Sequence, residues 1–177
     1  MAKKKEFNEY VIEGDTTKIK VSYKQLTLWT IIDTEDLQKL ISLGYHWYAR
    51  YRKYLNNYYI QCNTYFDGIH KNVLLHQFVL NYFDPYGIDH IDNNSLNNTK
   101  NNLRISDHRQ NHRNRKSRNS NNKTGYRNVS FSHDKYIVTL QVDGKQKTLG
   151  TFDDVDEAGR FAEEMRLKYY GDWAGKN

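Results

Sequence analysis

The sequence predicts an α+β chain assembled from two or three small modules rather than one thick globule. Three observations lead there. Only 37% of the 177 residues are apolar, which is thin for a single large core. Short strand-like runs are interrupted by stretches with helical periodicity. Residues 104–127 carry eight Arg or Lys against one acid, Asp107, and offer no core-forming face.

Residues 8–32 read as short strands through Tyr10-Val11-Ile12, Ile19 to Tyr23 and Leu28 to Ile32, with turns at Gly14-Asp15 and near Lys24. Asp33 is placed to cap a helix that carries Asp36, Leu37, Leu40 and Ile41 and stops at Gly44. Residues 46–66 are again strand-like and rich in tyrosine. From Asn72 to Phe83 the spacing of Leu75, Phe78, Val79 and Tyr82 predicts a helix, broken by Pro85-Tyr86-Gly87. Residues 126–152 predict three strands, 126–132, 136–142 and 145–152, the last two joined by the hairpin signal Asp143-Gly144. Asp154 followed by Glu157 is a capping-box arrangement. The helix it opens carries the stripe Val155, Ala158, Phe161, Ala162, Met165 and Tyr169 and ends at Gly171.

The net charge is +6 with a pI near 9.2, and there are 15 tyrosines. Such a balance favours a polyanionic partner, nucleic acid first; an AT-rich coding bias would give the same composition. Cys62 is the only cysteine, which excludes an internal disulfide and a cysteine zinc site. No apolar run approaches the roughly 20 residues of a membrane span. MAKKKEF precedes no apolar stretch and is not a signal peptide. A soluble, intracellular (cytoplasmic) protein without a membrane partner is expected.

The chemistry concentrates in residues 88–105, IDHIDNNSLNNTKNNLRI, with six asparagines in three adjacent pairs. Phosphodiester cleavage needs a base, a cation on the phosphate and a fixed geometry. Adjacent residues of a strand point to opposite sides, so Asp89 and His90 alone do not make a site. The return segment Asn102 to Ile105 can bring a partner alongside. Ser106 can then cap a helix with Asp107, His108, Asn111, His112 and Asn114. Asp89 and Asn111 together offer two hard oxygen ligands, suited to Mg2+ or a similar ion that keeps waters. His90 is then available as a base near neutral pH. His108 or His112 are alternative ligands, and the helical turn angle disfavours His112 more. The bland reading is a loop whose asparagines make turns around a satisfied interior His90. His46, His70 and His133 read as ordinary surface or packing residues.

DHIDNNSLNNTKNNLR followed by SDHRQNHRN resembles the HNH endonuclease motif of phage and intron-encoded nicking and homing enzymes. The resemblance implies two antiparallel strands and a helix around one divalent ion, a ββα-metal core. It implies Asp89 and Asn111 as metal ligands and His90 as the residue that activates water. It implies Asn102 as the residue that braces the loop and orients the histidine. With Asn111 at the last position, the chain is the HNN variant. The preceding LLHQFVL is similar to the family's His-Arg helix, with Gln77 where arginine is common. The implied cofactor is Mg2+, with Mn2+ as the alternative.

TGYRNVSF and KYIVTLQVDGKQKTLGTFDDVDEAGRFAEEMRLKYYGDWAGKN resemble the AP2 DNA-binding domain, with Asn128 in place of a family glycine and Tyr136 in place of a tryptophan. The resemblance implies a sheet that enters the major groove. Arg127, Lys135, Thr139, Gln141, Lys145 and Lys147 are the expected DNA-facing residues, Arg and Gln able to read bases and Lys to hold phosphate. A solvated polar face is the alternative. Arg104, Arg109, Arg113, Arg115, Lys116 and Arg118 of the basic stretch are expected along the phosphate backbone. The expected organisation is an N-terminal α+β part over 1–69, a nuclease core over 70–116, a basic linker over 117–124 and an AP2-like domain over 125–177. The expected function is a metal-dependent endonuclease of phage or mobile-element type, nicking double-stranded DNA at a preferred site in a bacterial host. The competing expectations are a DNA-binding regulator with an idle nuclease core and, more weakly, a structured-RNA binder.

Overall fold

The computed structural model describes residues 6–66, 69–84, 87–107, 110, 113 and 121–175. It is a mixed α+β chain with small antiparallel sheets, and it divides into two compact units, residues 1–107 and 108–177.

The first unit opens with a three-stranded meander, β1 (Tyr10–Glu13), β2 (Thr16–Tyr23) and β3 (Leu26–Asp33). Alternation on β2 sends Ile19 and Val21 inward and Lys18 and Lys20 outward. Helix α1 (Thr34–Ser42) follows, and its Leu37 and Leu40 close over the same core. Strands β4 (Tyr48–Arg52), β5 (Asn57–Phe66) and β6 (Ile69–Leu74) form a second meander. The short helix α2 (Leu75–Leu80) leads to the hairpin β7 (Ile88–His90) and β8 (Leu103–Ile105). One core unites these parts, from Ile19 and Ile32 through Trp47 and Ile60 to Ile88 and Leu103. The core therefore runs across the expected boundary between residues 69 and 70.

Two local expectations shift for long-range reasons. The helix expected from Asn72 begins only at Leu75, because residues 69–74 pair with β5, and it ends at Asn81 in a left-handed conformation, φ +50°. Asp33 occupies the N-cap of α1 but makes no side-chain cap; its Oδ2 accepts the Lys100 main-chain N–H at 2.7 Å. A partner far along the chain has taken the side chain that local pattern assigns to the helix.

The second unit is a sheet in the order β11-β10-β9, with β9 (Val129–Ser132), β10 (Lys135–Val142) and β11 (Lys145–Phe152), covered on one face by helix α3 (Val155–Tyr170). Asp143 and Gly144 both take positive φ, as their hairpin requires. The Asp154 side chain accepts from the Glu157 N–H at 2.7 Å, so the expected cap forms. Asn128 sits at φ +66°, a conformation glycine favours and asparagine tolerates. Val138, Ala158 and Ala162 are fully buried where sheet and helix meet.

Gly159 lies under the Tyr126 ring: a Cβ there would stand 2.4 Å from a ring carbon, and the ring is tethered by its O–H to Asp156 at 2.6 Å. In an open helix Gly→Ala stabilises by up to about 1 kcal/mol. Here the overpacked ring reverses the sign. Gly159→Ala is expected to destabilise this unit by about 1–3 kcal/mol, measured by denaturant unfolding; a stabilised variant would show that the ring moves aside freely.

Candidate active site

The β7–β8 register sets Asp89 opposite Arg104 and His90 opposite Leu103. Opposed residues share a face, and Asp89 and Arg104 form a largely buried ion pair. Arg104 Nε donates to Asp89 Oδ2 at 2.9 Å, with Nη2 at 2.8 Å from the same oxygen. Arg104, expected along the DNA backbone, pairs with Asp89 beside the candidate site.

The connection between the two strands uses four of its six asparagines, Asn94, Asn97, Asn98 and Asn102, as side-chain partners for main-chain groups. Asp92 and Asn94 accept from the N–H groups of Asn94 and Leu96, as Asx turns do. Asn102 clamps the loop: its Oδ1 accepts from Asp92 N–H at 3.0 Å, while its Nδ2 donates to Asp92 Oδ1 at 2.9 Å and Asn97 O at 2.8 Å. The loop also extends the meander, since Ile31 N–H donates to Leu96 O and Asn98 N–H donates to Ile31 O, both at 2.8 Å.

His90 is 7% exposed, and its side chain meets Asn98. Asn98 Nδ2 donates to Thr30 Oγ1 at 2.9 Å and to Ser95 O at 3.2 Å. Both amide donors point there, so Oδ1 faces His90 Nε2, at 3.3 Å, as an acceptor. The network thus assigns the proton of neutral His90 to Nε2 and its lone pair to Nδ1. The hydrogen bond that orients His90 comes from Asn98, where Asn102 was expected to supply it; Asn102 works on the loop. Nothing in the sequence separates Asn98 from its five neighbours, and nothing links it to Thr30.

Two rings pack against His90. His76 of α2 stands edge-on with centroids 5.2 Å apart, and Tyr59 of β5 lies 6.3 Å from His90 and 5.9 Å from His76. Burial, reinforced by the neighbouring His90 and Arg52, pushes His76 down to about 3. Burial also lowers His90 below its ordinary 6.5, against the opposing pull of Asn98 and Asp92. Burial, above all, raises the Tyr59 phenol, keeping it a hydrogen-bond donor at neutral pH.

Asp89 supplies a hard, buried carboxylate, the ligand type that suits a hydrated Mg2+-like ion. No group of three or more His, Cys, Asp or Glu gathers as a metal cage among the described residues. Asn111, the other expected ligand, lies outside the described residues, as do His108, Arg109, His112, Arg115, Lys116 and Arg118.

In the second unit, Arg127 is 5% exposed and donates to Arg113 O at 3.0 Å and Ala174 O at 3.4 Å. It is a structural arginine, which corrects its expected role on the DNA face. Arg113 stacks on Tyr170, 4.7 Å from the ring centroid. Register corrects two more. Lys145 and Lys147 oppose Val142 and Leu140, on the side that α3 packs, so they do not share the open face with Gln141. That face holds Thr139, Gln141, Gln146 and Thr148, plus Lys135, which pairs with Asp153. Among the remaining histidines, His70 is exposed, His46 meets Glu6 O at 3.4 Å, and His133 turns a corner at φ +52°.

Compared with family models, curated proteins and solved structures, the chain finds no significant match. No helix among the described residues is long and apolar enough to cross a membrane.

Two outcomes follow from the buried network. Asn98→Ala strips partners from Thr30, Ser95 and His90 and is expected to cost about 1–3 kcal/mol. In the same variant the nitrogen-15 shifts of His90 lose their single Nε2–H signature; an unchanged tautomer would exclude Asn98 as its cause. His76, depressed when folded, takes up a proton on unfolding between about pH 3 and 6.5. Its stabilising effect is complete above 6.5 and lost as pH falls through that window. His76→Gln is therefore expected to flatten the acid limb of stability by up to about 1.4 kcal/mol per pH unit, read from melts between pH 7 and 4.

Proposed function

We propose that the chain is a metal-dependent DNA endonuclease of the HNH kind, which hydrolyses one phosphodiester bond of a duplex. The observation that carries this reading is a hairpin strand that buries a carboxylate and an imidazole at successive positions, Asp89 and His90, with His90 Nε2 set by Asn98, which is itself bonded to Thr30. Asp89, with Asn111, would hold the divalent ion, whose chemistry when bound is to neutralise phosphate charge and the leaving oxygen.

The chain's own residues do the rest. His90 accepts a proton from the attacking water at Nδ1, and Asn98 Oδ1 stabilises the imidazolium through Nε2–H. Lowered basicity keeps His90 neutral, hence ready to accept, at neutral pH. Asn102 fixes the loop so that the hairpin strands keep their spacing. His76 and Tyr59 wall the imidazole and limit its rotation. In the second unit, Lys135, Thr139 and Gln141 are the expected DNA-facing residues on the open face. One chain holds one such centre, so a monomer nicks a single strand.

One observation favours a second reading. The Asp89–Arg104 pair already satisfies one carboxylate oxygen, as it would in a DNA-binding regulator whose nuclease part is idle. Plasmid relaxation separates the two. With Mg2+, supercoiled plasmid is expected to become open circles, and His90→Ala is expected to slow this by about 10²–10⁴-fold while duplex affinity stays. Intact supercoils with wild-type protein in both Mg2+ and Mn2+ would establish the regulator instead.

A further inference from the structure

The β4–β5–β6 sheet has two unlike faces. One sends Ala49, Ile60 and Cys62 into the core. On the other, register sets Arg50 opposite Tyr59 and Arg52 opposite Asn57, with Asn63 opposite Asn72 further along. Arg50 is exposed, and Arg52 and Tyr59 are half-buried. This face runs directly into the site, because Tyr59 is the residue that packs against both His76 and His90.

Its charge is one-sided. Between Leu37 and Phe83 the only acid is Asp67, against Lys39, Arg50, Arg52, Lys53 and Lys71. Elsewhere in this unit Lys18, Lys20, Lys100 and Arg104 are each neutralised by a carboxylate. Arg50 and Arg52 have no acidic partner among the described residues. They stand two residues apart on one strand face, about 6.7 Å, a spacing that successive phosphates of one nucleic-acid strand can match.

We propose that this face cradles the strand to be cut, with Arg50 and Arg52 on two successive phosphates beside the reacting one in duplex DNA. The inference rests on the endonuclease reading for the identity of its occupant. It assigns substrate binding to the second meander, beside the proposed hydrolytic residues. Guanidinium groups suit this task through their planar, paired donors. Tyr59, kept protonated, adds a neutral donor between the cations and His90.

The test uses the full chain and a fluorescent DNA duplex, with anisotropy read across a salt series in EDTA and plasmid nicking read in Mg2+. R50A/R52A is expected to weaken binding and reduce the log–log salt slope by about 1.8, about 0.9 for each phosphate no longer neutralised. R50K/R52K is expected to recover most of the slope, since charge is kept, and melting temperatures should match the wild type. An unchanged affinity and slope in R50A/R52A would overturn the proposal. So would a lysine variant as weak as the alanine one, or tighter binding of an RNA duplex through the same arginines. Nicking that survives R50A/R52A undiminished sinks this face and leaves the endonuclease reading standing. Duplex binding abolished with the two arginines, in a protein that never nicks, sinks the endonuclease reading and leaves the DNA surface.

Discussion

The first unit depends on one seam, where the asparagine-rich loop joins the free edge of β3. Ile31 exchanges main-chain hydrogen bonds with Leu96 and Asn98, and Thr30 Oγ1 donates to Leu96 O at 2.8 Å. Lys100 completes the seam by donating its N–H to Asp33 and reaching Asp36 with its ammonium at 3.0 Å. An exposed strand edge is a hazard for pairing with other chains. Here it is covered by the segment that must be held still. The seam brings Asn98 to His90, and with it the orientation on which the proposed chemistry turns.

Buried polar groups in this seam are costly unless each finds a partner. Thr30 and Asn98 are almost entirely removed from solvent, and each makes the bonds that the other needs. Such a network tolerates one arrangement only. The apolar cluster around Trp47 and Leu40 supplies cohesion, while the polar seam selects geometry. Asn8 does similar work at the other end, bonding both the N–H and the C=O of Trp47 at 2.8 Å.

The strands β2, β3, β10 and β11 and the helix α3 were legible because period and caps are local signals. Asp89-His90 and the return strand were legible as a hairpin for the same reason. What was not legible came from distance. Asp33 reads as a cap until Lys100 arrives, and residues 72–74 read as helix until β5 pairs with them. Arg127 looks like a surface cation until the backbone oxygens of Arg113 and Ala174 surround it. Asn98 and Asn102 are equivalent by composition; only their neighbours in space give one to the imidazole and the other to the loop.

The span of the seam has a temporal consequence. The bonds from Thr30 and Asp33 to the loop close separations of 66 to 68 residues. Closing so long a stretch is slow relative to forming a local hairpin. During synthesis, β1 to β3 emerge first and wait for the loop with their edge uncovered. The imidazole therefore acquires its fixed bearing only near the end of maturation of this unit, so a nascent or truncated chain carries Asp89 and His90 without that alignment.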